Sequence, residues 1–166
     1  MTDQTIAQQE TRCGYYFEDL YEGQTFVSAG RTVTESDVVG FAGFSGDFNP
    51  IHMDFVAASA GTYGQRVAHG LLGISMATGL IDALGVFRQS MIAMLGIEKW
   101  TFEAPMFIGD TIHVEISIAA KRLTSKGDRG VVHRDIRIVN QRGDVVQQGR
   151  INVMIRCREG APMPGT

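Results

Sequence analysis

Asp47 and His52 stand five residues apart in the run Phe44-Ser45-Gly46-Asp47-Phe48-Asn49-Pro50-Ile51-His52. A carboxylate and an imidazole converging on one small volume can hold and polarise a single water, and imidazole titrates near neutrality, which suits general acid–base work. Ser45, Gly46, Asp47, Asn49 and Pro50 all favour turns, and a residue before proline avoids the helical conformation. The run therefore reads as a bent, polar loop with Pro50 as a non-helical bend that lets the two side chains meet. A plainer reading makes Asp47 a turn residue bonding its own backbone and His52 a packed or surface ring, and the spacing alone leaves both open.

A second candidate is Val67-Ala68-His69-Gly70, which opens a long apolar stretch. A helix N-terminus presents amide N–H groups without intrahelical partners and a partial positive charge. With no Cβ at Gly70, an acyl oxygen can approach the backbone there, and such an amide can stabilise negative charge building on a carbonyl or thioester oxygen. The plainer reading is a glycine required for helix–sheet packing, with His69 bonding locally rather than reacting.

Other chemistries find no support. GxGxxG and GxxxxGK[ST] are absent, and Gly73-Ile74-Ser75-Met76-Ala77 fails the GxSxG pattern at its last position and falls mid-helix. His52, His69, His113 and His133 form no ligand-like spacing, so neither a metal nor another cofactor is expected. Lys121, Arg122 and Lys126 read as solvated turn charges. Fifteen basic against eighteen acidic side chains give a net charge of -3, which argues against nucleic acid or an anionic membrane as the partner. Cys13 and Cys157 sit at opposite ends without a CxxC and are expected to be reduced thiols of a cytoplasmic protein. Met1 to Glu10 lacks the basic and apolar regions of a signal peptide, and no stretch reaches the ~18 apolar residues of a membrane span.

The elements that must position these residues follow from periodicity. At 166 residues the chain is expected to form one domain over 15–158, between a polar tail at 1–14 and a Pro/Gly-rich tail at 159–166. A strand is expected over Thr25 to Val33. Thr34 with Asp37 three residues on is an acidic variant of a capping box, opening a helix through about Ala42. A short helix follows from Asp54 to Ala60. The long helix runs from Gly70 to about Leu84 and is apolar or small nearly all round, so it should be wrapped by other structure. The rest is β: Ile97 to Phe102, then Ile112, Val114, Ile116 and Ile118 alternating with polar or small residues, then Val131 to Asn140, then Ile151, Val153 and Ile155. Tight turns at Lys126-Gly127-Asp128 and at Gln141-Arg142-Gly143-Asp144 imply antiparallel pairing. The fold class is α+β, an antiparallel sheet around one buried helix.

The run from Phe44 to His52, followed by Ala57-Ala58, resembles the hydratase motif of the MaoC-like dehydratases, the (R)-specific enoyl-CoA hydratases. The resemblance continues at Tyr63-Gly64, Val67-Ala68-His69-Gly70, Phe102-Glu103-Ala104-Pro105 and Gly109-Asp110-Thr111. It implies the hot-dog fold, usually paired into a dimer with a continuous sheet. It also implies reversible syn hydration of a trans-2-enoyl-CoA to a (3R)-hydroxyacyl-CoA, with no cofactor beyond the thioester itself. Asp47 and His52 would activate the water and the Gly70 N–H would bond the thioester oxygen, with Ser45, Asn49 and His69 as further substrate-site residues. The acyl group could ride on CoA or on an acyl-carrier protein. Met91, Met94 and Leu95 read as core or as lining of the acyl pocket. Two rival readings are a hot-dog acyl-CoA thioesterase and a non-catalytic acyl-CoA binding module.

Overall fold

Strict alternation builds the sheet. In the computed structural model, which describes residues 14–158, β4 (Thr111–Leu123) turns Ile112, Val114, Ile116 and Ile118 to one buried face. The next strands, β5 (Arg129–Asn140) and β6 (Val145–Arg156), bury Val132, Ile136 and Ile138 and then Ile151, Val153 and Ile155 on the same core. With β1 (Thr25–Val27), β2 (Arg31–Thr32) and β3 (Met91–Phe102) they form one antiparallel sheet ordered β1-β4-β5-β6-β3, β2 also pairing with β4.

Against this sheet lies α4 (Gly70–Ala83), which buries Leu72, Met76, Ala77, Leu80 and Ile81 in the same cluster. Each of these larger side chains, Ala77 aside, contributes roughly 1.5–3 kcal/mol on leaving water, so the helix is held by packing rather than by its glycine-rich propensity. Two of its glycines serve close approach. A Cβ on Gly73 would fall 2.2 Å from Gln147 Nε2, and one on Gly70 would fall 2.7 Å from Phe102 Cε1.

Several expectations are corrected. The strand expected over Thr25 to Val33 is two short strands, because the Ser28 N–H donates to Val114 O while Ser28 Oγ accepts from the Val114 N–H, ending regular pairing before Gly30. The first helix, α1 (Glu35–Ser45), runs past Ala42 until Gly46 caps it in the left-handed conformation at φ 80°. Its start is as read: Thr34 Oγ1 accepts from the Asp37 N–H and Asp37 caps Thr34 in return. Pro50 does not break helical structure but begins it, at the first position of α2 (Pro50–Met53), where a missing N–H costs nothing. The third helix, α3 (Phe55–Ser59), falls where the short helix was expected, with Asp54 as its cap. The last strand before Pro105 starts at Met91 rather than Ile97, and Met91, Met94 and Leu95 are partly exposed on this edge strand rather than core. Nor is α4 wrapped on all sides, since Leu71, Ser75, Thr78, Gly79 and Asp82 face outward. Lys121 is no solvated turn charge: it lies on β4, donates to Phe17 O at 2.9 Å and sits over the Phe17 ring, and burial lowers its pKa.

The expected tails lie outside the described residues except Gly14, whose N–H donates to Gly85 O. Cys13 is outside as well, so its pairing is not described; Cys157 is a free thiol whose pKa burial pushes up to about 11. No helix among the described residues is long and apolar enough to cross a membrane.

Candidate active site

The loop after α1 is shaped by its own short side chains. Ser45 Oγ donates to Phe41 O and accepts from the Asp47 N–H; Asp47 Oδ1 accepts from the Asn49 N–H; Asn49 Oδ1 accepts from the Ile51 N–H and so caps α2. One turn of helix then delivers His52 back beside Asp47. The two meet with His52 Nε2 4.0 Å from Asp47 Oδ2, the imidazole being mostly buried and the carboxylate half exposed.

Hydrogen bonding decides which ring nitrogen is available. His52 Nδ1 lies 2.7 Å from Val67 O, and a carbonyl only accepts, so Nδ1 carries the proton and Nε2 keeps its lone pair when the ring is neutral. That lone pair belongs to the nitrogen nearer Asp47. A separation of 4.0 Å is too long for a direct hydrogen bond and matches a span that one water can bridge.

His69 locks the arrangement from the other side. It is only 2% exposed, its Nε2–H donates to Asp47 O at 2.9 Å, and its ring stacks on that of His52 with centroids 3.9 Å apart. Its Nδ1 is buried without a partner among the described residues. Asp47, His52 and His69 each offer a ligand atom within 4.8 Å of the others, although nothing in their spacing announced it. The two rings stack at only 28°, so their in-plane lone pairs run side by side rather than toward a common point, which is poor geometry for one shared ion.

Gly70 follows His69 as the first residue of α4, where its N–H has no intrahelical acceptor. Gly70, His52, Tyr63, Phe102, Glu103 and Gln147 are among the residues lining one cleft of about 350 Å³. Phe102 to Met106 line it too, held by bonds to the chain before α4 and to Asp110. The Ala68 N–H donates to Met106 O, Val67 bridges Phe107, and Asp110 accepts from the Phe107 N–H at 2.9 Å, from Gln141 Nε2 at 2.8 Å and from Arg142 Nη1 at 3.1 Å. Burial of Asp110 works to raise its pKa, but the donors from Gln141, Phe107 and Arg142 outweigh it and hold the carboxyl below the usual carboxylate value.

Of the residues singled out in the sequence, Asp47 lies 4.0 Å from His52, and His52 lines one cleft with Gly70. Ser45 and Asn49 are spent on the loop backbone, and Asn49 does not bond the His52 ring; the Val67 carbonyl does. Gln147 escaped the sequence reading. It is 2% exposed, its Nε2 donates to Gly70 O, and its Oε1 accepts from Trp100 Nε1. Its signal was available, since Gln147 falls in phase with the inward Ile151, Val153 and Ile155.

With this geometry in place, comparison with known proteins is decisive. Residues 20–139 match the family described as MaoC like domain. The chain belongs to that family. It is 42% identical over 114 residues to Protein MaoC of Klebsiella aerogenes, covering 69% of this chain and 33% of that protein. It is 34% identical over 145 residues to an (R)-specific enoyl-CoA hydratase of Rhodospirillum rubrum, covering 87% of this chain and 94% of the relative. The chain therefore spans about a third of one curated relative and nearly all of another. A Mycobacterium tuberculosis protein solved with a double hot-dog fold superposes with a TM-score of 0.81 at 21% identity, over 92% of this chain and 47% of its own. The MaoC-like chain has the hot-dog fold.

Proposed function

We propose that the chain is an enoyl-thioester hydratase and 3-hydroxyacyl-thioester dehydratase, acting on acyl-CoA or acyl-carrier-protein thioesters and yielding the (3R)-alcohol. One observation carries the reading. The Val67 carbonyl fixes the His52 tautomer so that the Nε2 lone pair is on the nitrogen 4.0 Å from the Asp47 carboxylate, and His52 lines one cleft with Gly70. The names of relatives that align with the chain, among them the Rhodospirillum rubrum hydratase, agree with it.

In the hydration direction a water sits between Asp47 and His52 Nε2. Its O–H bond breaks as the proton passes to Nε2 and its oxygen bonds to C3. The C2–C3 π electrons move toward the thioester oxygen, and the enolate charge is met by the Gly70 N–H at the positive end of α4. The enolate then collapses and C2 takes a proton from the same Asp47–His52 pair, so that OH and H enter on one face. Dehydration is the reverse. No step calls for a metal or another cofactor.

A second copy completes the fold in this reading. Among the described residues the outer edge of β3 is unpaired, with Met94, Leu95 and Ile97 at 56%, 47% and 42% exposure. An unpaired apolar edge calls for cover, and a homodimer pairing through β3 supplies it. Sedimentation finding a stable, active monomer would reject the dimer.

The reaction is tested with crotonyl-CoA, following loss of the enoyl thioester absorbance with the C3 configuration and free thiol assayed together. Formation of the (3R)-alcohol, abolished by His52→Gln, is the expected result. Free thiol without alcohol would replace the hydratase by a thioesterase.

A further inference from the structure

Arg134 occupies a core position. On β5 it falls in the inward row between Val132 and Ile136, cross-strand from Ile118 on β4 and Ile151 on β6. It is 3% exposed, and its Nη1 has no hydrogen-bond partner among the described residues. What it does touch is slight: Nε reaches Ile151 O only at 3.5 Å, and the guanidinium lies 5.1 Å from the centre of the Phe87 ring. Burial lowers its pKa to about 10, which still leaves it cationic at neutral pH. A buried cation lacking a counter-charge is among the more expensive features a core can hold.

Arg134 also borders a cavity of about 260 Å³, walled by Ile81, Phe87, Met91, Met94 and Val153 among others. Thr78, Asp82 and Arg88 also line it, and Asp82 is paired with Arg88 at 2.9 Å. A largely apolar lining that includes a buried guanidinium, one of whose donors has no partner among the described residues, matches an aliphatic chain ending in an anion. The chain satisfies the walls, and a planar carboxylate satisfies the N–H donors in the geometry guanidinium prefers.

We propose that this cavity binds an aliphatic chain ending in a carboxylate, with Arg134 as the anion-binding residue. Two sources share that chemistry, namely the tail of the thioester substrate and a free carboxylate ligand. The tail is reachable along α4: Thr78 and Ile81 of the cavity lie eight and eleven residues beyond Gly70, or roughly 12–16 Å at helical rise. An extended acyl chain advances about 1.25 Å per bond, so the bonds of a ten-carbon chain cover about 11 Å and bring its terminal carboxylate to the near end of that span. The substrate half of this inference rests on the hydratase reading; the anion site does not.

The test has a binding arm and a kinetic arm, both on the full chain. By calorimetry, decanoate should bind the wild type, and Arg134→Met should weaken it by about 10–100-fold, the worth of a charge-assisted pair; decanol should bind the two proteins alike. Equal affinity of the wild type for decanoate and decanol, or unchanged decanoate affinity in the variant, would overturn the site without relying on the variant's fold. In the kinetic arm, a ten-carbon 2-enoyl-CoA with a terminal carboxylate should exceed its terminal-methyl counterpart in kcat/KM, and Arg134→Met should reverse the order. Arg134-dependent binding without that preference assigns the site to a free carboxylate and overturns the substrate half. Arg134-dependent binding in a protein inert toward crotonyl-CoA and both ten-carbon thioesters overturns the hydratase reading and leaves the anion site standing.

Discussion

The two ends of α4 border two cavities that differ in how their polar groups are held. Around its N-terminus, short side chains and main-chain groups bond one another densely: Ser45, Asp47 and Asn49 bond the loop, Val67 and Asp47 carbonyls hold the two imidazoles, and Gln147 holds Gly70, with His69 Nδ1 left unmet among the described residues. Around its C-terminal half the walls are mainly apolar, with Thr78, Asp82 and Arg88 among them, and buried Arg134 has a donor unmet among the described residues. A site that does chemistry is rigid before substrate arrives, because its donors and lone pairs must already point where charge will develop. A site that selects a ligand can leave a group unsatisfied and let the ligand supply the partner.

Removing a reacting group from the first end should have the largest effect. Asp47→Asn keeps the side-chain amide oxygen that the Asn49 N–H can use, so the loop should survive. The variant should nonetheless lose at least ~100-fold in kcat, since a positioned acid or base contributes roughly 10²–10⁴. Steady-state hydration of crotonyl-CoA measures it, and near-normal turnover would remove Asp47 from the reaction. Next in size is Gly70→Val. Its side chain would start where a Cβ already meets Phe102 at 2.7 Å and would crowd the amide that the proposed reaction sets against the thioester. Loss of one oxyanion donor costs on the order of 10²–10³ in kcat. Partial blockage should fall near the lower figure, with the melting temperature checked beside the rate.

How much of each end could be read in the sequence follows from the range of the interactions. The Asp47–His52 pair was legible because its geometry is local: five residues, a left-handed cap at Gly46 and one helical turn begun by Pro50 carry the chain from one partner to the other. Pro50 itself was misread as a break because the same residue both ends extended chain and starts helices. The sheet was legible from alternation, and the edge strand β3 was underestimated because its first residues alternate in no regular way; its pairing with β6 is interrupted by register shifts at three places. The Val67 carbonyl that sets the His52 tautomer is fifteen residues away, and Gln147 is seventy-seven from Gly70, distances only tertiary structure closes. Arg134 and Gln147 did leave a trace, as polar residues in phase with the inward rows of β5 and β6. A core-phase polar residue is costly to keep, which makes it a better marker of a binding surface than a polar residue in a loop.

The support beneath the first end can be weakened without touching its chemistry. Asp110 anchors the cleft wall through three donors, and its folded pKa lies below the ordinary value. A carboxyl depressed in this way stabilises the fold fully above its unfolded pKa, and the contribution fades as pH falls through the folded one. Asp110→Asn should therefore cost about 2 kcal/mol at neutral pH, the range for charged hydrogen bonds, and the gap to wild type should shrink as pH is lowered below about 4. Denaturant titrations at pH 7 and pH 3.5 measure both. A gap that widens on acidification would mean the carboxylate is not the anchor.

The smallest expected effect is a gain. If the second end keeps an unpaired charge for a ligand's sake, replacing it with an apolar residue of similar length should relieve the ligand-free protein, since exchanging buried charges for packed apolar groups is often neutral or stabilising by 1–4 kcal/mol. Arg134→Met should raise Tm by a few degrees, at about 2–4 °C per kcal/mol for a chain of this size. Decanoate should raise the Tm of the wild type more than that of the variant, because a ligand stabilises only the state that binds it. A variant that melts well below the wild type would show that the stacking of Arg134 on Phe87 already repays its burial. The asymmetry between the ends of α4 would then be one of packing rather than of waiting for a ligand.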